Sequence, residues 1–228
     1  MCREKMTEIE DWLRDPLKNL ENNLLITRTL KVPKDGQQDR WFSFHFATRL
    51  KLDGAVFFCK QVLGAASMPE DIGLPLLAHR QIEWYFEAFF FELMSSYDTL
   101  LQELNIIYAY DLNLKPRQVR WNDGKSNKFM EKIPDKIKDI INEERKKDWF
   151  KKIQHFRNTA THHYTVPLSS GKTWEGYPIN YSEFDISMQY FDEKGNYQPE
   201  DIKLCTEYLR NMVIYICSIW EHMAQEFA

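Results

Sequence analysis

The chain has 228 residues, 43% of them hydrophobic and 14% aromatic, and a formal net charge of −4. That is ample apolar material for one buried core and excludes a disordered chain, and the charge gives no global pull toward nucleic acid or membrane. Eight Gly and nine Pro are too few for a sandwich or barrel with many turns, so an all-α fold is expected, as a single domain over residues 1–228.

In chain order, Thr7 to Thr27 places Ile9, Trp12, Leu13, Leu17, Leu20 and Leu24 at helical spacing, with Pro16 near a start or kink. Lys31 to Asp39 reads as a loop. A second helix is expected from about Trp41 to Ala66, with Gly54 as its weak point, and Met68 to Gly73 as a connection. The longest helix should run from about Leu76 to Tyr108. Its middle, Trp84 to Phe91, is apolar almost all round, which predicts burial on every face at the centre of a bundle. Asp98, Gln102 and Asn105 follow at i, i+4 and i+7 and share one face, a polar stripe that needs partners or a cleft. Asn113 to Gly124 reads as a loop. Helices are then expected at Ser126–Lys132, Asp135–Lys147 and Asp148 to about Thr161, the last with Trp149, Phe150, Ile153 and Phe156 on its apolar side. Pro167 to Pro199 is an irregular, insertion-like stretch. Phe184 to Tyr190 alternates as a strand would and Gly195-Asn196 reads as a turn, so a short β-hairpin could sit there. The last helix is expected from about Pro199 to Glu226.

Charge is unevenly spread. Lys115 to Arg157 holds 14 Lys/Arg and 7 Asp/Glu, a local +7 against −11 elsewhere. Interleaved runs such as Asp135 to Asp139 read first as a salt-bridged, solvated helix face, and a phosphate-attracting face is the competing reading. Cys2, Cys59, Cys205 and Cys217 form no CxxC pair. Cys205 and Cys217 should share a helix about 18 Å apart, too far to bridge. Reduced thiols in a cytoplasmic protein are therefore expected. Met1 to Lys5 lacks the apolar region of a signal peptide, and no apolar run is long enough for a membrane span.

The densest chemistry lies in Arg157-Asn158-Thr159-Ala160-Thr161-His162-His163-Tyr164. Arg-x4-His alone is weak, and Arg40 to His45 has the same spacing inside an apolar helix, where it reads as an accident. Tyr164 and Asn158 make the second copy far more specific. On a regular helix Arg157 and His162 stand about 140° apart, so their convergence needs the reach of Arg, a distorted last turn, or a second subunit. These residue types suit cleavage of an RNA phosphodiester. A neutral imidazole can exchange protons near pH 7, and a guanidinium fork can hold a phosphate and offset its growing charge. Asn158 can orient the imidazole or donate to a phosphoryl oxygen. His163 and Tyr164, with Asp98 and Asn105 from the long helix, are candidate site-lining groups.

At these residues the chain resembles the HEPN superfamily of small helical-bundle proteins, whose signature is Arg-x4–6-His, often with a polar residue right after the Arg. Arg157, Asn158 and His162 match it. The extension to Tyr164 is similar to HEPN toxins paired with a minimal nucleotidyltransferase antitoxin, in which that Tyr is the residue modified by nucleotide transfer. The resemblance implies an up-down helical bundle with a long central helix. It also implies a homodimer whose two motifs line one cleft, metal-independent endoribonuclease activity, and a role in toxin–antitoxin or antiviral defence. The chain departs from the short toxins in its length, in its 167–199 stretch, and in Thr161 where an apolar residue is usual. The alternative is a non-catalytic HEPN-like module that binds nucleotide, RNA or a partner protein. His155, His162 and His163, with Glu83 and Glu87, are the residues a metal reading would use. No Glu-x-x-His occurs and the His lack fixed ligand spacing, so neither a metal nor another cofactor is expected.

Overall fold

A computed structural model describes residues 11, 14–15, 17–20, 22–23, 37–66, 75–121, 127–162, 168–170, 186–191, 197–201 and 203–227, with the backbone alone at 66, 75–80, 159–162 and in the strands. Helix α1 spans Gln37–Ala66 and α2 spans Pro75–Tyr108; two 3-10 turns follow at Tyr110–Leu112 and Pro116–Gln118. Then come α3 (Lys128–Lys132), α4 (Asp135–Lys146), α5 (Asp148–His162), strands β1 (Leu168–Ser170), β2 (Ile186–Phe191) and β3 (Tyr197–Asp201), and α6 (Leu204–Phe227). The fold is an all-α bundle carrying one small sheet. The expected 68–73 connection, the 171–185 part of the insertion-like stretch, and the Gly195-Asn196 turn lie outside the described residues, as does much of the first expected helix, whose described residues 11, 14–15, 17–20 and 22–23 are all helical.

Cross-helix pairs fix the topology. Along α1, His45 meets Glu103, Thr48 meets Thr99 and Lys51 meets Glu92, so α1 runs antiparallel to α2. Phe150 packs on Tyr97 and Phe156 on Phe90, so α5 is antiparallel to α2 as well. Tyr208, Tyr215 and Trp220 of α6 meet Phe90, Tyr97 and Glu103 in rising order, so α6 runs parallel to α2. In chain order the four long helices alternate up, down, up, down around α2. The core is aromatic: Phe86, Phe89, Phe90, Phe150, Phe156, Tyr215 and Trp220 are all fully enclosed. Each such side chain contributes roughly 1.5–3 kcal/mol of transfer free energy.

Local chemistry explains where elements begin and end. The helix α1 starts at Gln37 rather than Trp41, because Gln37 is buried and Asp39 sits in the first turn, where the helix dipole favours an acid. Gly54 does not weaken α1. A Cβ there would come within 3.1 Å of the Glu92 side chain, so glycine lets α1 and α2 approach while Lys51 pairs with Glu92 across them. Pro75 opens α2, where a missing N–H costs nothing. After α2 the chain reverses through Asn113 at φ 45°, a left-handed conformation that Asn tolerates well. The last helix starts at Leu204, not Pro199. Pro199 instead lies in β3, opposite Gln189, on an edge of the antiparallel sheet ordered β1-β2-β3. An edge strand is where a residue without an N–H fits.

One expectation fails in an informative way. The Trp84–Phe91 stretch is not buried on every face: Trp84 is 60% exposed and Phe91 is also exposed. Three neighbours, α1, α5 and α6, cover three sides of α2, and its fourth side looks outward. Apolar residues all round a helix therefore do not prove that all sides are covered within one chain.

Candidate functional site

Helix α5 carries the motif. Its apolar side, Phe150, Ile153 and Phe156, is seated on α2, which turns Arg157 toward the outer edge of that contact. Arg157 is half-buried and Asn158 exposed, and the Arg157 Nη1 donates to Asn158 Oδ1 at 3.2 Å. Asn158 thus holds the guanidinium. Helix α5 is continuous through His162, so there is no broken last turn to swing the His toward the Arg, and their Cα atoms stand about 140° apart around the axis. The His162 side chain, and His163 and Tyr164 entirely, lie outside the described residues.

On α2, Asp98 faces this edge. Burial of its carboxyl among protein atoms raises its pKa above the ordinary value, while Arg157 and then Arg145 pull it back down. The residue as a whole is exposed, so its carboxyl is crowded on one side and open on the other. Arg145 is the functional-looking group that the sequence reading missed. It is buried, donates to the Tyr97 hydroxyl at 3.2 Å, and lies over the Phe150 ring at 5.1 Å. A desolvated contact of that kind contributes on the order of 2 kcal/mol. The signal was present: Ile137, Ile141 and Arg145 repeat at i, i+4 and i+8 on the buried side of α4. The Asp98 carboxyl thus lies in the field of two guanidiniums, Arg157 first and Arg145 second.

The other candidates separate. Asn105 is buried, with Oδ1 unbonded among the described residues, so it does not line this open edge. The chain leaving α2 folds back over its last turns, where Gln102 Nε2 donates to the Pro116 carbonyl at 3.3 Å. The polar stripe thus runs from solvent at Asp98 to enclosure at Asn105. The duplicate Arg-His spacing is split: Arg40 lies over the Tyr110 ring at 5.7 Å, while His45 is turned inward onto Glu103 at 3.0 Å between Trp41 and Trp220. His155, beside Phe156, is half-buried, and burial lowers its pKa. Cys59 and Cys217 are buried, and burial pushes both thiols up to about 12, which leaves them poor nucleophiles. Among the described residues no three His, Cys, Asp or Glu side chains converge as metal ligands would, and no helix is long and apolar enough to cross a membrane.

A family model described as Cthe2314-like HEPN matches residues 50–226, which takes in most of α1, all later elements and the whole Arg157–Tyr164 motif. Neither the comparison with curated proteins nor that with solved structures gave a match.

Proposed function

The chain belongs to the Cthe2314-like HEPN family, and from that premise we propose that it is a metal-independent endoribonuclease acting as a homodimer. The observation that carries this reading is the placement of the motif arginine at the α2–α5 edge. Arg157 is half-buried there, donates to Asn158, and lies within the field of Asp98. A guanidinium fork in that position suits a phosphodiester.

In the proposed reaction the RNA 2′-oxygen attacks its own 3′-phosphorus, the bond from phosphorus to the 5′-oxygen breaks, and a 2′,3′-cyclic phosphate and a 5′-hydroxyl form. His162 takes the 2′-hydroxyl proton and a second proton reaches the leaving 5′-oxygen. Arg157 offsets the charge that builds on the phosphoryl oxygens. Because α5 sets Arg157 and His162 on different sides of one helix, a second copy is the natural source of the complementary group. Two copies of His162 in one cleft can also divide the two proton transfers. An exposed apolar face supports the dimer. Trp84, Phe91 and Asp98 are spaced i, i+7 and i+14 along α2, and Leu50 and Phe57 are exposed on the neighbouring α1, so the apolar face continues into the charged edge.

A cytoplasmic setting fits three buried free thiols, and a toxin or defence role, with a cognate antitoxin acting on Tyr164, follows from the likeness of the motif to HEPN toxins. The test is cleavage of a mixed RNA in excess EDTA. Wild type should cut, and His162→Ala and Arg157→Ala should each lower the rate by about 100-fold or more. Wild-type protein that binds RNA without cutting it would instead identify a non-catalytic binding module.

A further inference from the structure

We propose that the open 380 Å³ depression lined by Arg117, Gln118, Arg120 and Asn127 is a second phosphate subsite, for the backbone of the RNA strand whose scissile group sits at Arg157. This rests on the RNA reading above and extends it to a surface further along the same edge of α2.

The segment that carries the two arginines is rigidly built. Val119 and Trp121 are buried anchors, Trp121 Nε1 donates to Asn142 Oδ1 at 2.9 Å, and Arg120 alternates outward between them. The two amides of the depression are already used by the backbone. Gln118 accepts from the Lys115 N–H, and Asn127 caps α3 at Met130 while donating to the Arg120 carbonyl. What faces solvent unspent is the pair of guanidiniums. Among the described residues neither is ion-paired, unlike Lys132, Lys138, Lys147 and Lys152 of the same basic stretch, which are held by Asp111, Asp135, Glu144 and Asp148. The excess of cations over this stretch is therefore partly cancelled on the α3–α5 surface and left open here.

Position links the depression to Arg157. Phe156, the residue before Arg157, stacks on Phe90, and Gln102, which donates to the Pro116 carbonyl, lies twelve residues further along α2, so about 18 Å of rise separates the two levels, with Asp98 in between. Arg117 is the next residue after Pro116. One strand running along this edge of α2 would pass both charges. The depression is shallow and open-sided, which suits a sugar-phosphate backbone and gives no base-reading pocket, so its contribution should be affinity without sequence preference.

The experiment compares wild type with the double variant Arg117→Ala/Arg120→Ala, two exposed positions, with unchanged circular dichroism as the check on folding. The probes are a long 2′-O-methyl oligoribonucleotide, which cannot be cut, and a dinucleotide too short to span both sites. The double variant should bind the long RNA about tenfold more weakly, and the slope of log affinity against log salt should shrink by about 0.7 for each phosphate that is no longer neutralised. Cleavage of the dinucleotide should be unchanged, and Arg117→Lys/Arg120→Lys should restore most of the slope. Equal affinity and slope for wild type and double variant would overturn the subsite. So would an effect confined to inorganic phosphate, which would make it a site for the free anion. If wild type binds the long RNA in an Arg117/Arg120-dependent way but cuts nothing, the subsite stands and the ribonuclease reading falls. If it cuts normally without that dependence, the subsite alone falls.

Discussion

Glu103 shows how much one side chain can decide. It is wholly enclosed on α2, yet it accepts from Thr48 and from Trp220 Nε1 at 3.2 Å, and lies 3.0 Å from His45 Nδ1. Those bonds tie α1, α2 and α6 together at one end of the bundle. Replacing it with Ala removes the acceptor of Trp220 Nε1 and the partner of His45 Nδ1, while the Thr48 hydroxyl can still donate to the Phe44 carbonyl. Glu103→Ala should therefore cost about 3–5 kcal/mol, read from the urea midpoint, whereas Glu103→Gln should cost less because it keeps an acceptor for Thr48 or Trp220. A loss below about 1 kcal/mol for the Ala variant would mean that water replaces the carboxylate. The same geometry disposes of Arg40 and His45 as a site. Equal spacing along the chain yields one pair split between surface and interior, and another on the helix that borders the charged edge.

At the level of elements, α2 and α5 matter most, because their packing positions Arg157. Phe156 stacks on Phe90 at 4.7 Å, one residue before the guanidinium. Phe156→Ala should cost about 3–5 kcal/mol of stability through the cavity it leaves. It should also lower RNA cleavage at temperatures where the variant is still folded, since the last turns of α5 lose their seat. Full activity in a folded Phe156→Ala protein would show that Arg157 is placed by Asn158 and Asp98 alone. The boundaries of α2, α4 and α5 were legible because each is set by a local signal: Pro75 and Asp135 at helix starts, and apolar repeats ending near Lys146. The start of α6 was not, because Pro199 is compatible both with a helix's first turn and with an edge strand, and only pairing with β2 chooses between them.

At the scale of the whole molecule, the proposed chemistry depends on assembly. Among the described residues, Phe46 at 61% and Trp84 at 60% are the most exposed large apolar side chains, and the α2 part of this face ends at Asp98. If that face joins two copies, Trp84→Glu/Phe91→Glu should give a folded monomer by light scattering and lower the cleavage rate at least about tenfold. A variant that stays dimeric, or a monomer with full activity, would remove the composite cleft.

By itself the sequence determined the helical class, the four long helices, the aromatic core and the Arg157–His162 motif. These follow from periodicity, capping and residue type, which act over a few neighbours along the chain. It did not determine that Arg145 is buried beside Tyr97, that Asp98 lies in the field of Arg157 while Asn105 is enclosed, or that Trp84 and Phe91 look outward. Those outcomes depend on which helix covers which side of α2. Burial and electrostatic partnership are properties of contacts between residues far apart in the chain, so only the packed tertiary structure could decide them.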